Sequence, residues 1–535
     1  MAKTSHTLFD VHSLTDSLTV YVPAIILQRA LNLARVFLFL WLMNEAQFGL
    51  LGLATMVFSL AGTLVTLGSF NGIARYISQY EARGQLGEFF RVVARQVSLL
   101  AAAITAVLLA LSPWLASWVI GTSVHSPISP EERWAVFAAA LANGLLTALY
   151  LNLTAWMRGL RLYRLLSLTD VAYAVLFFAL GALVLAIRPS AMMALAAHAV
   201  ALALVLAVGM WAVGHALVRR AVEAAGAGEL PAVTAPSAVE TTGDWAIPVA
   251  AAEPPASAAI VPTPPRLAML RRVLRFSLPA LGAALAAMLL GYVSLWFVQR
   301  EGGERQAGIF QAYSQLCQPI AILAATIWGV LLPYAAVHWE RQERELAHLQ
   351  LETAFKTTAG GLLTLAVLLN VSSRWWLVVL PAHYRQAAAL LPWLLVHVLA
   401  VSNLGYVYVA SQLRERPAVL VYITLAGVVV NALLAWQWVP SAGALGGAQA
   451  AAAGGAACII AAVCYLRATG FGASGAAMVL SLLGGVLLLP PTAQLLLLLA
   501  GWILALISPA VVTPPQRELL ANAARSLWTR LKGRA

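Results

Sequence analysis

A chain of 535 residues that is 61% hydrophobic and 10% charged is excluded from the soluble globular class and is long enough for many membrane spans. Its net charge of +12 does not point to nucleic acid, because the arginines are spread between apolar segments and do not cluster with aromatics. Cys317, Cys458 and Cys464 each sit in an apolar segment, which argues against a disulfide framework or a thiolate metal cage and for packing roles.

The first segment able to cross a bilayer, Val20 to Met43, carries Gln28, Arg29, Asn32 and Arg35 in its middle. Each arginine at bilayer depth costs roughly 2.5–3.5 kcal/mol on insertion scales, so something must compensate. At about 100° per residue the four polar side chains share an arc of about 120°, which gives the helix one cationic face. That face either lines a water-filled cavity that holds an anion, or its arginines pair with internal acids or snorkel to an interface. Asp10, Asp16 and the length of the apolar run argue against a cleavable signal peptide.

Windows of about 20 apolar residues predict an all-α polytopic membrane protein. Fourteen spans are expected near 20–43, 47–70, 93–118, 134–156, 165–187, 192–217, 276–298, 308–335, 356–380, 387–410, 418–438, 443–465, 474–489 and 492–511. With the N-terminus cytoplasmic, only Arg133, Arg188, Arg300, Arg305, Arg374 and Arg385 fall in outside loops, and the remaining loop arginines lie inside. That bias predicts two cytoplasmic termini. The expected organisation is a cytoplasmic N-terminus (1–19), a six-helix lobe (20–220), a flexible Ala/Pro-rich linker (221–270), a second six-helix lobe (271–466), two additional helices (467–511) and a basic tail (512–535). Arg266, Arg271, Arg272 and Arg275 suit anionic lipid headgroups at the membrane surface.

The lobes read as internal repeats. EAQFGL begins at Glu45 between spans one and two, and ERQAGI begins at Glu304 between spans seven and eight, so both show Glu-x-Gln-x-Gly. Each precedes a span that leads into a charged stretch, YEARGQLGEFFRVVARQ or HWERQERELAHLQLE, expected to form interfacial helices. With six spans per half, the repeats are parallel about an axis normal to the membrane. Arg29, Asn32 and Arg35 then correspond to Met288, Gly291 and Ser294, so the cationic face belongs to the first half alone.

Other polar residues within spans are Asn143, Asn152, Asp170, His198, Gln315, Gln318, His397, Asn403 and Asn431. Most are expected to join helices by hydrogen bonds of ~0.6 kcal/mol each. Asp170 is read as the partner of Arg29 or a loop arginine, with proton coupling as the alternative; His198 and His397 are coupling candidates or buried neutral histidines. Trp114, Trp118, Trp134, Trp375, Trp376, Trp436 and Trp438 cluster near expected outer boundaries as an aromatic belt.

Ala34 to Tyr80, with NEAQFGLLGLATMVFSLAG, Arg275 to Pro333, with RFSLPALGAALA and ERQAGIFQAYSQ, and Val428 to Ala453, with VVVNALLAW and PSAGALGGAQAAAA, carry a resemblance. In order and spacing they resemble the oligosaccharide flippases of the polysaccharide transporter branch of the multidrug, oligosaccharidyl-lipid and polysaccharide (MOP) exporter superfamily. The resemblance implies a two-lobe bacterial inner-membrane transporter, without cofactor, that moves a polyprenyl-diphosphate-linked oligosaccharide from the cytoplasmic to the periplasmic leaflet by alternating access. It further implies a monomer among membrane lipids, with polysaccharide polymerase or assembly enzymes as partners. A diphosphate suits bidentate guanidinium recognition, so Arg29 and Arg35 are the expected headgroup ligands, with Gln28 and Asn32 as hydrogen-bonding neighbours. Similar flippases often carry an acid midway along span seven; GYVSLWFVQR has none.

A lipid II-type flippase and a multidrug or cation exporter are the alternatives within the superfamily, although spans one to four lack an interior carboxylate for a coupling ion. A membrane glycosyltransferase or ligase is the alternative of a different class. The short expected outer loops and the absence of G-x-x-x-x-G-K-[ST], H-E-x-x-H and G-x-S-x-G motifs weigh against an enzyme or a metal site.

Overall fold

The computed structural model describes residues 14–532 except 71–72, 74–75, 78–79, 81–85, 120–127, 161, 227–265, 415, 417 and 472–474. Continuous apolar sequence gives continuous helix, because a backbone in lipid must satisfy its own hydrogen bonds. The first half comprises α1 (Leu14–Leu42), α2 (Glu45–Thr66), α3 (Leu86–Ala110), α4 (Pro130–Gly159), α5 (Tyr163–Ile187) and α6 (Ala191–Gly226). Arg266–Glu340 is one helical run interrupted at Gly303, whose φ of 72° and ψ of −177° suit glycine alone, so it forms two segments, α7 (266–302) and α8 (304–340). The second half continues with α9 (Arg344–Val371), α10 (Leu390–Leu413), α11 (Ala418–Ala442) and α12 (Ala444–Ala468). Then follow α13 (Gly475–Leu482), a 3₁₀ segment (Leu483–Leu488), α14 (Pro491–Ile507) and α15 (Pro514–Lys532).

Among the described residues eleven helices, counting α7 and α8 as one run, are long and apolar enough to cross a membrane, and Gly475–Leu488 and Pro491–Ile507 are shorter apolar helices. The protein is thus an all-helical, polytopic membrane protein. The exposed rings of Trp114, Trp118, Trp134, Trp375 and Trp436 fit the expected belt. Cys317 and Cys458 are buried as expected of packing residues, whereas Cys464 is exposed.

Local chemistry sets the helix starts. Asn44 caps α2 by accepting from Gln47 N at 2.9 Å, and Ser129 caps α4 by accepting from Glu132 N at 3.2 Å, with Pro130 at the first helical position. The charged stretches expected as interfacial helices are the end of α8 and the first turns of α3 and α9 where they are described, because no proline separates Leu86 or Arg344 from the apolar run that follows. The expected basic tail is largely helix α15, and most of the expected linker lies outside the described residues.

Two helices form the interior. The apolar window of α2 is 67% buried and that of α10 72%, against 17% for α1. α2 packs on α4 and on the α7–α8 run; α10 packs on α12 and on the same run; α1 packs chiefly on α5. Glycine makes the closest approaches possible: a Cβ on Gly427 of α11 would lie 2.7 Å from Gly454 O of α12, and one on Gly454 would lie 2.8 Å from Gly427 O.

A cationic and aromatic cavity as candidate functional site

α1 sets Arg35 about two helical turns from its Leu42 end, at a depth where no water is available by default. The guanidinium lies over the Phe177 ring of α5, 4.1 Å from the centroid, and donates to the Tyr173 hydroxyl one turn earlier on the same helix. Phe177 is itself held edge-on by Phe39 of α1 at 5.9 Å. No carboxylate among the described residues forms an ion pair with Arg35, so its charge is balanced by a π face and a hydroxyl only.

Around this cation α4, α5 and α6 build a wall. His198 of α6 donates from Nδ1 to Asn143 Oδ1 at 2.6 Å, and Asn143 Nδ2 donates to Ala139 O at 2.9 Å and to Leu195 O at 3.4 Å. Because the amide nitrogen is committed to carbonyls, Asn143 Oδ1 must be the acceptor, which fixes the proton on His198 Nδ1. The imidazole is clamped between Phe58, stacked at 4.9 Å, and Phe177, edge-on at 4.9 Å. Tyr150 of α4 hydrogen-bonds the Asp170 carboxylate of α5 and packs on Tyr173 at 5.6 Å. Arg158 and Arg29 lie within electrostatic reach of Asp170.

These side chains surround a cavity of about 320 Å³, lined by Arg35, Tyr150, Tyr173, Phe177 and His198 from the first half and closed on the other side by Gln311 and Gln315 of α8. Among its aromatic side chains it presents one guanidinium, two phenols, an imidazole and two primary amides. That set can donate hydrogen bonds to a multiply charged oxyanion and both donate to and accept from hydroxyl groups. A larger groove of about 640 Å³ between α9 and α13–α15 is almost wholly apolar, with Lys356 and Arg517 in its lining.

Of the residues singled out in the sequence, Arg35, His198 and Gln315 line the cavity, and Asp170 is tied to it through Tyr150. Gln28 and Asn32 are half-buried and Arg29 is exposed; none of the three lines the cavity. His397 sits in the second half, donating from Nδ1 to Ala451 O at 2.8 Å. Tyr150, Tyr173, Phe177 and Gln311 were not singled out. The spacing of Asp170, Tyr173 and Phe177 at three and four residues is the signal that places them on one face of α5.

No family model matches the sequence, and no curated protein matches it in sequence. Solved structures do match in shape. The lipid II flippase MurJ in an inward closed conformation superposes with a TM-score of 0.63 at 12% identity, over 94% of this chain and 100% of that one. A multidrug resistance MATE family transporter of the MOP superfamily, inward-facing, superposes at 0.57 with 14% identity, over 83% of this chain and 95% of that one. A MOP superfamily transporter from Pyrococcus furiosus, described as having a binding pocket of reversed polarity, superposes at 0.57 with 14% identity, over 88% and 99%. The chain has the fold of the MOP superfamily transporters.

Proposed function

We propose that the protein is a flippase that carries a polyprenyl-diphosphate-linked oligosaccharide across the membrane by alternating access, and that Arg35 holds its diphosphate. The carrying observation is the Arg35 guanidinium, which lines a cavity between the two halves with no carboxylate partner among the described residues. An unpaired cation at this depth is costly, and an anionic ligand offsets that cost with charge-assisted hydrogen bonds of about 1.5–3 kcal/mol. Phe177 and Tyr173 keep the guanidinium plane fixed, so little freedom is lost when it engages a phosphate. His198, Tyr150, Gln311 and Gln315 offer hydrogen bonds to remaining phosphate oxygens or to sugar hydroxyls. Arg29 on the exposed flank of α1 is proposed to meet the headgroup before it reaches Arg35.

Likeness to MurJ over nearly the whole chain favours a second reading, a lipid II-type substrate. It shares the diphosphate and differs in the glycan.

The test is leaflet translocation of a fluorescent short-chain polyprenyl-diphosphate sugar in proteoliposomes. Wild type is expected to accelerate flipping and folded Arg35→Ala to lose it, with Arg29→Ala intermediate. Equal flipping by wild type and Arg35→Ala would remove Arg35 from the mechanism; flipping confined to a lipid II analogue would select the second reading.

A further inference from the structure

The two Glu-x-Gln-x-Gly copies, separated by more than 250 residues in the chain, meet face to face. A Cβ on Gly49 would lie 1.9 Å from Glu304 O and 2.7 Å from Gly308 N; a Cβ on Gly308 would lie 1.9 Å from Glu45 O and 3.0 Å from Gly49 N. The contact is reciprocal, as a two-fold relation between the halves requires, and no side chain fits at either glycine.

Within each copy the residues divide their labour. The glutamine binds inside its own half: Gln47 Oε1 accepts from Ala191 N at 2.8 Å, and Gln306 Oε1 accepts from Ala444 N at 3.4 Å, each at the first residue of the sixth helix of that half. The glutamate reaches across. Glu304 at the start of α8 pairs with Arg133 of α4 at 3.1 Å, and both are buried. Glu45 at the start of α2 pairs with Arg305 at 3.5 Å and lies 3.9 Å from His383 Nδ1, at a more exposed position. The 377–385 segment seals the same seam: Trp41 Nε1 donates to Val379 O at 2.8 Å, and Tyr384 packs edge-on to Phe48 at 6.4 Å.

We infer that the paired motifs form a latch that seals the membrane face bearing the α1–α2 turn, with the buried Arg133–Glu304 ion pair as its lock. The inference rests on the reading of the protein as an alternating-access transporter. Three features separate a latch from a static brace. The glutamines make each half rigid up to the seam, so the seam is the parting line. The glycine contact places backbone against backbone, so at that point the two helices can separate without withdrawing a side chain from a socket. Neither carboxylate oxygen of Glu304 accepts a hydrogen bond, so the buried pair lacks the full satisfaction that would make it a good permanent structural element. Once the halves part, water solvates both charges, and Glu304 retains the favourable field of the α8 N-terminus.

The seam continues one turn along both helices to Gly52 and Gln311, where Gln311 is buried against Gly52 and lines the cavity. A cysteine there reports opening from the latch face. In a background of Cys317→Ala, Cys458→Ala and Cys464→Ser, Gln311→Cys is labelled with a membrane-impermeant maleimide applied separately to each face, in right-side-out and inverted vesicles without substrate. Arg133→Gln and Glu304→Gln are each expected to raise labelling from the latch face by about tenfold, and Arg133→Lys to leave it at the starting rate. Folded Gln variants that label at the starting rate would overturn the lock, as would Arg133→Lys labelling as fast as Arg133→Gln. Because no substrate is present, failure here is distinct from failure of the flippase reading, which the translocation assay judges.

Discussion

The two halves solve the same position in opposite ways. Where α1 carries Arg35 under Phe177, the repeat alignment places Ser294 on α7, whose hydroxyl donates to Asn431 Oδ1 at 2.6 Å while Asn431 Nδ2 donates to Leu290 O at 3.0 Å. Both Ser294 and Asn431 are buried, and their bonds tie α7 to α11. The first half instead leaves a charge facing a cavity and holds it with an aromatic face and a phenol. A neutral helix-to-helix hydrogen bond is a fastening, whereas a cation without a carboxylate is a demand for a ligand. One scaffold thus supplies a firm half and a half with a cation at a cavity, and the proposed anion binding falls to the latter.

That contrast can be broken most directly by comparing Arg35→Ala with Asn431→Ala. The first is expected to weaken binding of a polyprenyl diphosphate by about 10- to 100-fold, the equivalent of a lost bond between charged groups, with little change in thermal stability. The second is expected to keep affinity and lower stability by about 1–2 kcal/mol, because the Leu290 carbonyl and the Ser294 hydroxyl lose their partner. Titration by calorimetry alongside thermal unfolding separates the two, and equal loss of affinity in both variants would dissolve the distinction.

A smaller effect sharpens the picture inside the first half. Tyr150→Phe and Asp170→Asn remove the two sides of one hydrogen bond, so the double variant is expected to lose less affinity than the single losses add up to, with a coupling of about 1 kcal/mol. Additive losses would mean that the phenol and the carboxylate act separately. The smallest effect is expected at His397, whose single bond to Ala451 O joins α10 to α12: His397→Ala should cost about 0.6 kcal/mol of stability and leave flipping unchanged. A pH-dependent loss of flipping in that variant would instead make the firm half a participant in coupling.

Much of the architecture was legible because lipid removes alternatives. A long apolar run in a bilayer must be helix, and the breaks at Gly303 and Pro490 fall where the span pattern placed them. The tail was read as a basic segment with no secondary structure assigned; PPQRELLANAARSLWTRLK forms α15, and its leucines at 519, 520, 527 and 531 carry a helical spacing. The site was legible in part. A helical wheel places Gln28, Arg29, Asn32 and Arg35 relative to one another and says nothing of which neighbour each meets. α1 packs chiefly on α5, so the arc divides: Arg35 turns into the cavity under Phe177, and Arg29 stays exposed.

The sequence by itself determined the membrane class, the helical content, the placement of most spans and the confinement of the arginine face to one half, since each depends only on local hydropathy and on residue identity. It also displayed the Glu-x-Gln-x-Gly repeat without indicating that the copies touch. Only the tertiary structure decided that Gly49 lies against Gly308, that Glu304 takes Arg133 as its partner and that Arg35 shares a cavity with His198 and Gln311. Those pairings join helices far apart in the chain. They follow from how close small residues let backbones approach, which no single helix records.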